Sequence, residues 1–143
     1  MTWQEMLKLA MHGGPGFIQV AVTNACNAQC RFCSFPQVPR AEQRLADPAR
    51  LVRGFEALGR AGIKYVTITG GEPLLYPELG SCLARARDLG LETLVVTNGA
   101  LLTPALIREL SAAAVHTLII SLDAASAEVH DRHRGLPGLT SHI

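Results

Sequence analysis

Four short apolar runs divide the chain into a repeating pattern: "FIQVAV" (17–22), "IKYVTI" (63–68), "ETLVV" (92–96) and "HTLIIS" (116–121). Each has strand length, carries β-branched residues, and is followed by a segment in which helical periodicity can be read. Asp47 and Pro48 make an N-cap and first-turn pair ahead of Leu51, Phe55 and Leu58, and Gly62 stops that helix. Pro77 opens a second helix, with an apolar stripe of Leu79, Cys82, Leu83, Ala86 and Leu89 before Gly90. Thr103 and Pro104 start a third through Leu106, Ile107 and Leu110, and Ser126 caps one or two turns over "SAEVHDRH" (126–133). A short amphipathic helix is expected at the front on Trp3, Met6, Leu7, Ala10 and Met11. "HGGPG" (12–16) after it reads as a linker, because a strand follows and not the helix N-terminus a phosphate loop needs.

Strands alternating with helices at this pitch predict βαβ units and a parallel sheet, an α/β fold, and 143 residues suffice for one domain. In such sheets function collects beyond the carboxyl ends of the strands. Every unusual cluster falls at such an end: Cys26, Cys30 and Cys33 after the first strand, Gly70–Pro73 after the second, Thr97–Gly99 after the third, and Ser121 and Asp123 after the fourth. They are therefore expected to meet on one rim.

A net charge of +1 leaves no basic footprint for nucleic acid, and no apolar stretch approaches the length of a membrane span. The expectation is a soluble cytoplasmic protein with no nucleic-acid or membrane partner. Four cysteines in a reducing compartment read as metal-binding or catalytic, not as disulfides. Three of them follow C-x3-C-x2-C with no fourth nearby. Catalytic zinc takes three protein ligands and keeps an open position. A [4Fe-4S] cluster held by three thiolates likewise leaves one iron without a protein ligand. Cys82 lies on a core-facing stripe and reads as a small buried hydrophobe. None of His12, His116, His130 and His133 has finger-ligand spacing.

The three-cysteine motif with Phe32 before its last cysteine, followed in order by "GGEP" (70–73), "TNG" (97–99), "SLD" (121–123) and "EVHDRHRG" (128–135), resembles the radical S-adenosylmethionine (radical SAM) enzymes over residues 17–135. The resemblance implies that Cys26, Cys30 and Cys33 hold a [4Fe-4S] cluster whose open iron chelates the amino and carboxylate groups of SAM. It implies that Gly70, Gly71 and Glu72, with Pro73 holding the turn, offer acceptors to the SAM amino group. Phe32 would cover the cluster and border the adenine, and Ser121 and Asp123 would meet the ribose or carboxylate, Asp123 being equally readable as a cap. The implied activity is reductive cleavage of SAM to a 5′-deoxyadenosyl radical that abstracts hydrogen from a substrate the sequence does not identify. A low-potential donor of flavodoxin or ferredoxin type is implied as a partner. Asn98 reads as a turn residue at positive φ. Arg31, Arg40 and Arg44 around the cluster loop are expected to face solvent rather than to offset thiolate charge, and His130, Asp131, Arg132 and Arg134 to form a solvated mixed-charge face rather than a substrate clamp.

The family core is a six-stranded partial (β/α) barrel, so about four strands imply an incomplete, truncated barrel. The expected division is a helix and linker over 1–16, a partial core over 17–135, and an irregular tail over 136–143 where the chain is truncated. Leu118 and Ile120 would lie on an open sheet edge. Two alternatives remain: a non-catalytic iron–sulfur fragment or half of a split enzyme awaiting a complementing C-terminal chain, and a zinc-binding module.

Overall fold

The structure is a computed structural model that describes Gln4 and residues 17–143. The front helix expected on Trp3, Met6, Leu7, Ala10 and Met11, and the linker over 12–16, lie outside the described residues. Within them are strands β1 (Phe17–Thr23), β2 (Tyr65–Gly70), β3 (Glu92–Thr97) and β4 (Thr117–Ile120). The helices are α1 (Pro48–Arg60), α2 (Leu79–Asp88), α3 (Pro104–Ala112), α4 (Ala127–Arg134) and α5 (Leu139–His142). Single 3-10 turns occupy Phe35–Gln37, Arg40–Glu42 and Pro73–Leu75.

Side-chain caps account for three of the helix starts. Asp47 Oδ1 accepts from Arg50 N at 2.7 Å, Thr103 Oγ1 from Leu106 N at 3.1 Å, and Ser126 Oγ from Val129 N at 3.5 Å. Helix α2 begins at Leu79, two residues later than Pro77 suggested, and Glu78 gives it no side-chain cap. The preceding Tyr76 is tied down elsewhere, its hydroxyl donating to Ala46 O at 3.0 Å.

The strands are ordered β1-β2-β3-β4 and every neighbouring pair is parallel. With right-handed crossovers, sequential order places the connecting helices on one face. The register agrees: Val20, Ile68, Val95 and Leu118 stand opposite one another in one row. That row packs into a single core with Leu51 and Phe55 of α1, Leu83 and Ala86 of α2 and Leu110 of α3. The opposite face carries the row Gln19, Thr67, Leu94 and Thr117. The result is an open four-stranded parallel sheet, the parallel α/β arrangement that the alternation predicts. At its β4 side Ile119, Ile120 and Leu122 are exposed.

Residues 136–143 are not irregular throughout. Leu139–His142 form α5, and Leu139 is buried. The sequence gives no sign of this because four residues are too few for periodicity and the tether comes from the preceding helix. Asp131 Oδ1 accepts from Thr140 N at 2.9 Å and Thr140 Oγ1 at 2.7 Å, and Oδ2 from Gly138 N at 2.6 Å. These bonds, those from Thr140 first, hold the Asp131 carboxyl below its usual pKa.

Burial, and then the neighbouring Cys82, push the Tyr76 phenol from 10.0 up to about 12. A folded-state pKa above the unfolded one stabilises the fold fully below the lower value and ceases to do so as pH rises through the higher. Urea midpoints should therefore fall as pH rises from about 10 toward 12. Tyr76→Phe should flatten that fall, while costing about 1 kcal/mol at neutral pH for the unpaired Ala46 carbonyl. An equally steep fall in the variant would remove Tyr76 as its source.

Candidate cofactor-binding site

The cysteine loop leaves β1 at a register shift between Ala21 and Thr23, and its return segment is stitched back onto the same place. Thr23 Oγ1 donates to Arg44 O at 3.0 Å, Arg44 N to Asn24 Oδ1 at 2.6 Å, Asn24 Nδ2 to Glu42 O at 3.1 Å, and Ala46 N to Val22 O at 2.8 Å. Residues 24–44 thus form a closed loop whose base is fixed by β1 itself. Arg31, Arg40 and Arg44 lie on its exposed side, as expected.

Gly70 and Gly71 press against the start of this loop. Gly71 N donates to Thr23 O and Glu72 N to Ala25 O, each at 2.8 Å. A Cβ on Gly70, which has φ 129°, would overlap the Thr23 carbonyl oxygen, and one on Gly71 would overlap the carbonyl of Ala25. Glycine is required because two backbones touch there.

Glu72 is 1% exposed, and its carboxylate joins the end of β2 to the end of β3. Oε1 accepts from Thr97 Oγ1 at 2.6 Å and from Leu74 N at 3.0 Å, and Oε2 from Asn98 N at 2.9 Å. Asn98 is not at positive φ; the left-handed residue of that turn is Gly99, with φ 84°. Asn98 is buried, and its Nδ2 donates to Asn27 Oδ1 of the cysteine loop at 2.7 Å. Ser121 N continues the ladder, donating to Thr97 O at 2.9 Å.

These ends enclose one cavity of about 180 Å³. Cys26, Cys30 and Cys33 line it from the loop, Gly70, Gly71 and Glu72 from β2, Thr97 and Asn98 from β3, and Ser121 from β4. Phe32 borders it while remaining 67% exposed. Pro73 is buried and opens the 3-10 turn behind Glu72. Asp123 does not line the cavity and does not cap the following helix, whose cap is Ser126. Its Oδ1 is bound to Arg134 Nη2 at 2.6 Å. The residues of α4 are not a uniformly solvated face either: His130 is fully buried and Arg134 lines the cavity. Asn98 and Arg134, read from sequence as a turn residue and part of a solvated face, line the cavity, and Asn27, which the sequence did not single out, holds Asn98. Asn27 and Asn98 lie 71 positions apart, and Arg134 and Cys30 lie 104 apart.

All four cysteines are free, and Cys82 is in the core. Burial raises the Cys26 thiol pKa; a backbone hydrogen bond at Ala28 opposes this, and Glu72 and the other two thiols add to it. Among the described residues, no three His, Cys, Asp or Glu side chains converge on a point that could hold one metal ion. A zinc ion needs sulfur ligands at about 2.3 Å from one centre. A four-iron cluster is larger, and each thiolate binds a different iron, so three thiols spread around one cavity match a cluster better than a single ion. Three thiols from one loop around one cavity fit such a cluster.

The comparisons agree with this arrangement. The chain belongs to the radical SAM superfamily, whose family profile matches residues 20–139. Members of the family use a [4Fe-4S] cluster and SAM, the cofactors expected from the sequence. An AdoMet-dependent heme synthase of Methanosarcina barkeri is 35% identical over 133 residues, covering 91% of this chain and 37% of the relative. A GTP 3′,8-cyclase of Synechococcus is 38% identical over 138 residues, covering 92% and 39%. The chain thus spans less than two-fifths of the length of these relatives. In structure it resembles Streptococcus suis SuiB bound to its precursor peptide SuiA, with TM-score 0.74 and 20% identity over 94% of this chain and 31% of SuiB. SuiB bound to S-adenosylmethionine gives 0.72 and 23%. These likenesses place the fold among radical SAM barrels. Among the described residues no helix is long and apolar enough to cross a membrane.

Gly71→Ala should lower stability by about 1–3 kcal/mol by forcing the cysteine loop away from β2. Gly54→Ala, in α1 with no atom within 4 Å of the added Cβ, should raise it by about 0.5–1 kcal/mol. Urea denaturation of both variants checks this, and equal effects would show that the contact with Ala25 is not tight.

Proposed function

We propose that this chain supplies the cluster- and SAM-binding part of a radical SAM enzyme. Cys26, Cys30 and Cys33 would each give one thiolate to a [4Fe-4S] cluster, and the ligand amino group would meet acceptors from Gly70, Gly71 and Glu72. The observation that carries this is the single cavity lined by all three cysteines and by the ends of β2, β3 and β4. When bound, cluster and SAM supply one-electron cleavage of a carbon–sulfur bond, giving methionine and a 5′-deoxyadenosyl radical that takes a hydrogen atom from substrate.

The chain's own residues prepare the place. Glu72 accepts three hydrogen bonds internally, two at Oε1 and one at Oε2, so Oε2 keeps capacity for an ammonium donor. Thr97 and Asn98 fix that carboxylate, so it need not reorganise when a ligand arrives. Phe32, exposed at the mouth, offers an apolar face that shields the cluster from water. Ser121 presents a hydroxyl for a ribose or carboxylate oxygen. A low-potential flavodoxin or ferredoxin is the proposed electron donor. The named relatives act on different substrates, so no substrate is assigned.

Anaerobic reconstitution with iron and sulfide tests this. The expected result is a four-iron cluster whose EPR spectrum shifts on adding SAM. Cys26→Ala, Cys30→Ala and Cys33→Ala should each abolish it, whereas Cys82→Ala should keep it. Release of 5′-deoxyadenosine under reducing conditions separates an active enzyme from an iron–sulfur fragment without catalysis. Tight zinc with no cluster would overturn the proposal.

A further inference from the structure

Arg134 is the last residue of α4, and its side chain is 13% exposed. Nη2 donates to Asp123 Oδ1 at 2.6 Å, Nη1 points at Cys30 Sγ from 3.9 Å, and Nε is buried without a partner. The guanidinium carbon lies 5.8 Å from the centre of the Phe32 ring. A guanidinium carries five donors in a rigid plane and stays charged at any ordinary pH. Here one strong bond is made, to one carboxylate oxygen, Nη1 aims at Cys30 Sγ, and the residue lines the cavity that the three thiols also line. Burying a cation with unmade bonds is unfavourable unless acceptors complete its shell. Thiolates around a cluster are such acceptors.

The position of that charge is fixed from two sides. Through the backbone, Gln29 N donates to Arg134 O at 2.7 Å, one residue before Cys30. Gly135, at φ 62°, packs so closely on Gln29 that a Cβ there would overlap its side chain. Through the side chain, Asp123 holds Nη2, and Asp123 is itself held by its N–H donating to Nδ1 of the buried His130 at 3.2 Å. The loop after β4, helix α4 and the cysteine loop therefore lock one guanidinium beside one thiol.

We propose that Arg134, aligned by Asp123, is a positioning residue that sets the reduction potential of the cluster through Cys30. This rests on the reading that the three cysteines hold the cluster. A nearby cation favours the state with one more electron and raises the potential, whereas the Asp123 carboxylate offsets part of that charge. Removing the cation and removing its counter-charge must therefore act in opposite directions. A merely structural ion pair has no such signature.

The test is an EPR-monitored redox titration, with dithionite and mediators, of the anaerobically reconstituted chain and three variants. Arg134→Gln should move the midpoint to more negative potential. Asp123→Asn, which keeps an acceptor for Nη2 but loses its charge, should move it to more positive potential. Arg134→Lys, which keeps the charge, should stay closer to the unsubstituted chain than Arg134→Gln does. Midpoints that do not move, or that move in the same direction for Arg134→Gln and Asp123→Asn, would overturn the proposal while leaving the cluster reading intact. An unsubstituted chain that takes up no cluster would overturn both. If Arg134→Gln fails to assemble a cluster, Asp123→Asn decides: a midpoint displaced to more positive potential, with Arg134→Lys displaced less, supports the proposal, and an unmoved or more negative midpoint overturns it.

Discussion

A carboxylate taken out of water must have its oxygens supplied with donors or the fold is heavily penalised. Glu72 meets that requirement within the chain, and the way it does so organises the rim. Its donors are Leu74 N in the turn that follows β2, and Thr97 Oγ1 and Asn98 N at the end of β3. Strand ends are ordinarily where a sheet frays, because the ladder stops and the chain diverges. Here the carboxylate continues the connection past the last ladder bonds, so β2 and β3 finish at a common, buried point. Asn98 then passes the constraint on to Asn27, and the two glycines before Glu72 pass it to Thr23 and Ala25. The cysteine loop is thus held by the strands beside it as well as by its own base.

This explains how a loop with little regular structure can present three thiols reproducibly. Between Thr23 and Leu45, which pair as an isolated bridge, its only helical pieces are two single 3-10 turns. Loops of this length are usually mobile unless tied at several points. The ties here come from β1, from the ends of β2 and β3, and from the C-terminal end of α4. The helix end suits its place, because backbone carbonyls there are available to accept and basic residues in the last turn are favoured by the helix dipole. Arg132, His133 and Arg134 occupy that turn.

Which parts of this could be read from the sequence follows from the range of the interactions. The strands, their parallel order and the caps at Asp47, Thr103 and Ser126 depend on neighbours within a few residues, and periodicity and capping chemistry expose them. The convergence of the four strand ends was also legible, because topology alone sends those ends to one rim. The pairing of Asp123 with Arg134, the burial of His130 and the bridge from Asn98 to Asn27 were not, since each joins elements brought together only by the fold. Asn98 is instructive here. An Asn-Gly pair signals a turn, which it is, but Gly99 takes the left-handed conformation and frees Asn98 to point inward. The mixed-charge run around Arg134 misled for a related reason: one turn of an eight-residue helix can face solvent with Arg132 and the site with Arg134.

Two relatives whose names denote different reactions match this chain over almost the same share of its length and at nearly the same identity. What a single stretch has in common with both is best explained by something both need. The residues with the most demanding surroundings in this structure are those that would serve either: the cysteines, the glycines pressed on the loop, Glu72 and its donors. None of them is a surface position free to vary without consequence. By contrast, Ile119, Ile120 and Leu122 at the β4 side are exposed and make no comparable demands on their neighbours. The tightest packing and the most hydrogen-bonded buried groups at the rim therefore fall along the line where the three cysteines and the strand ends meet, and they give way to exposed side chains at the β4 side.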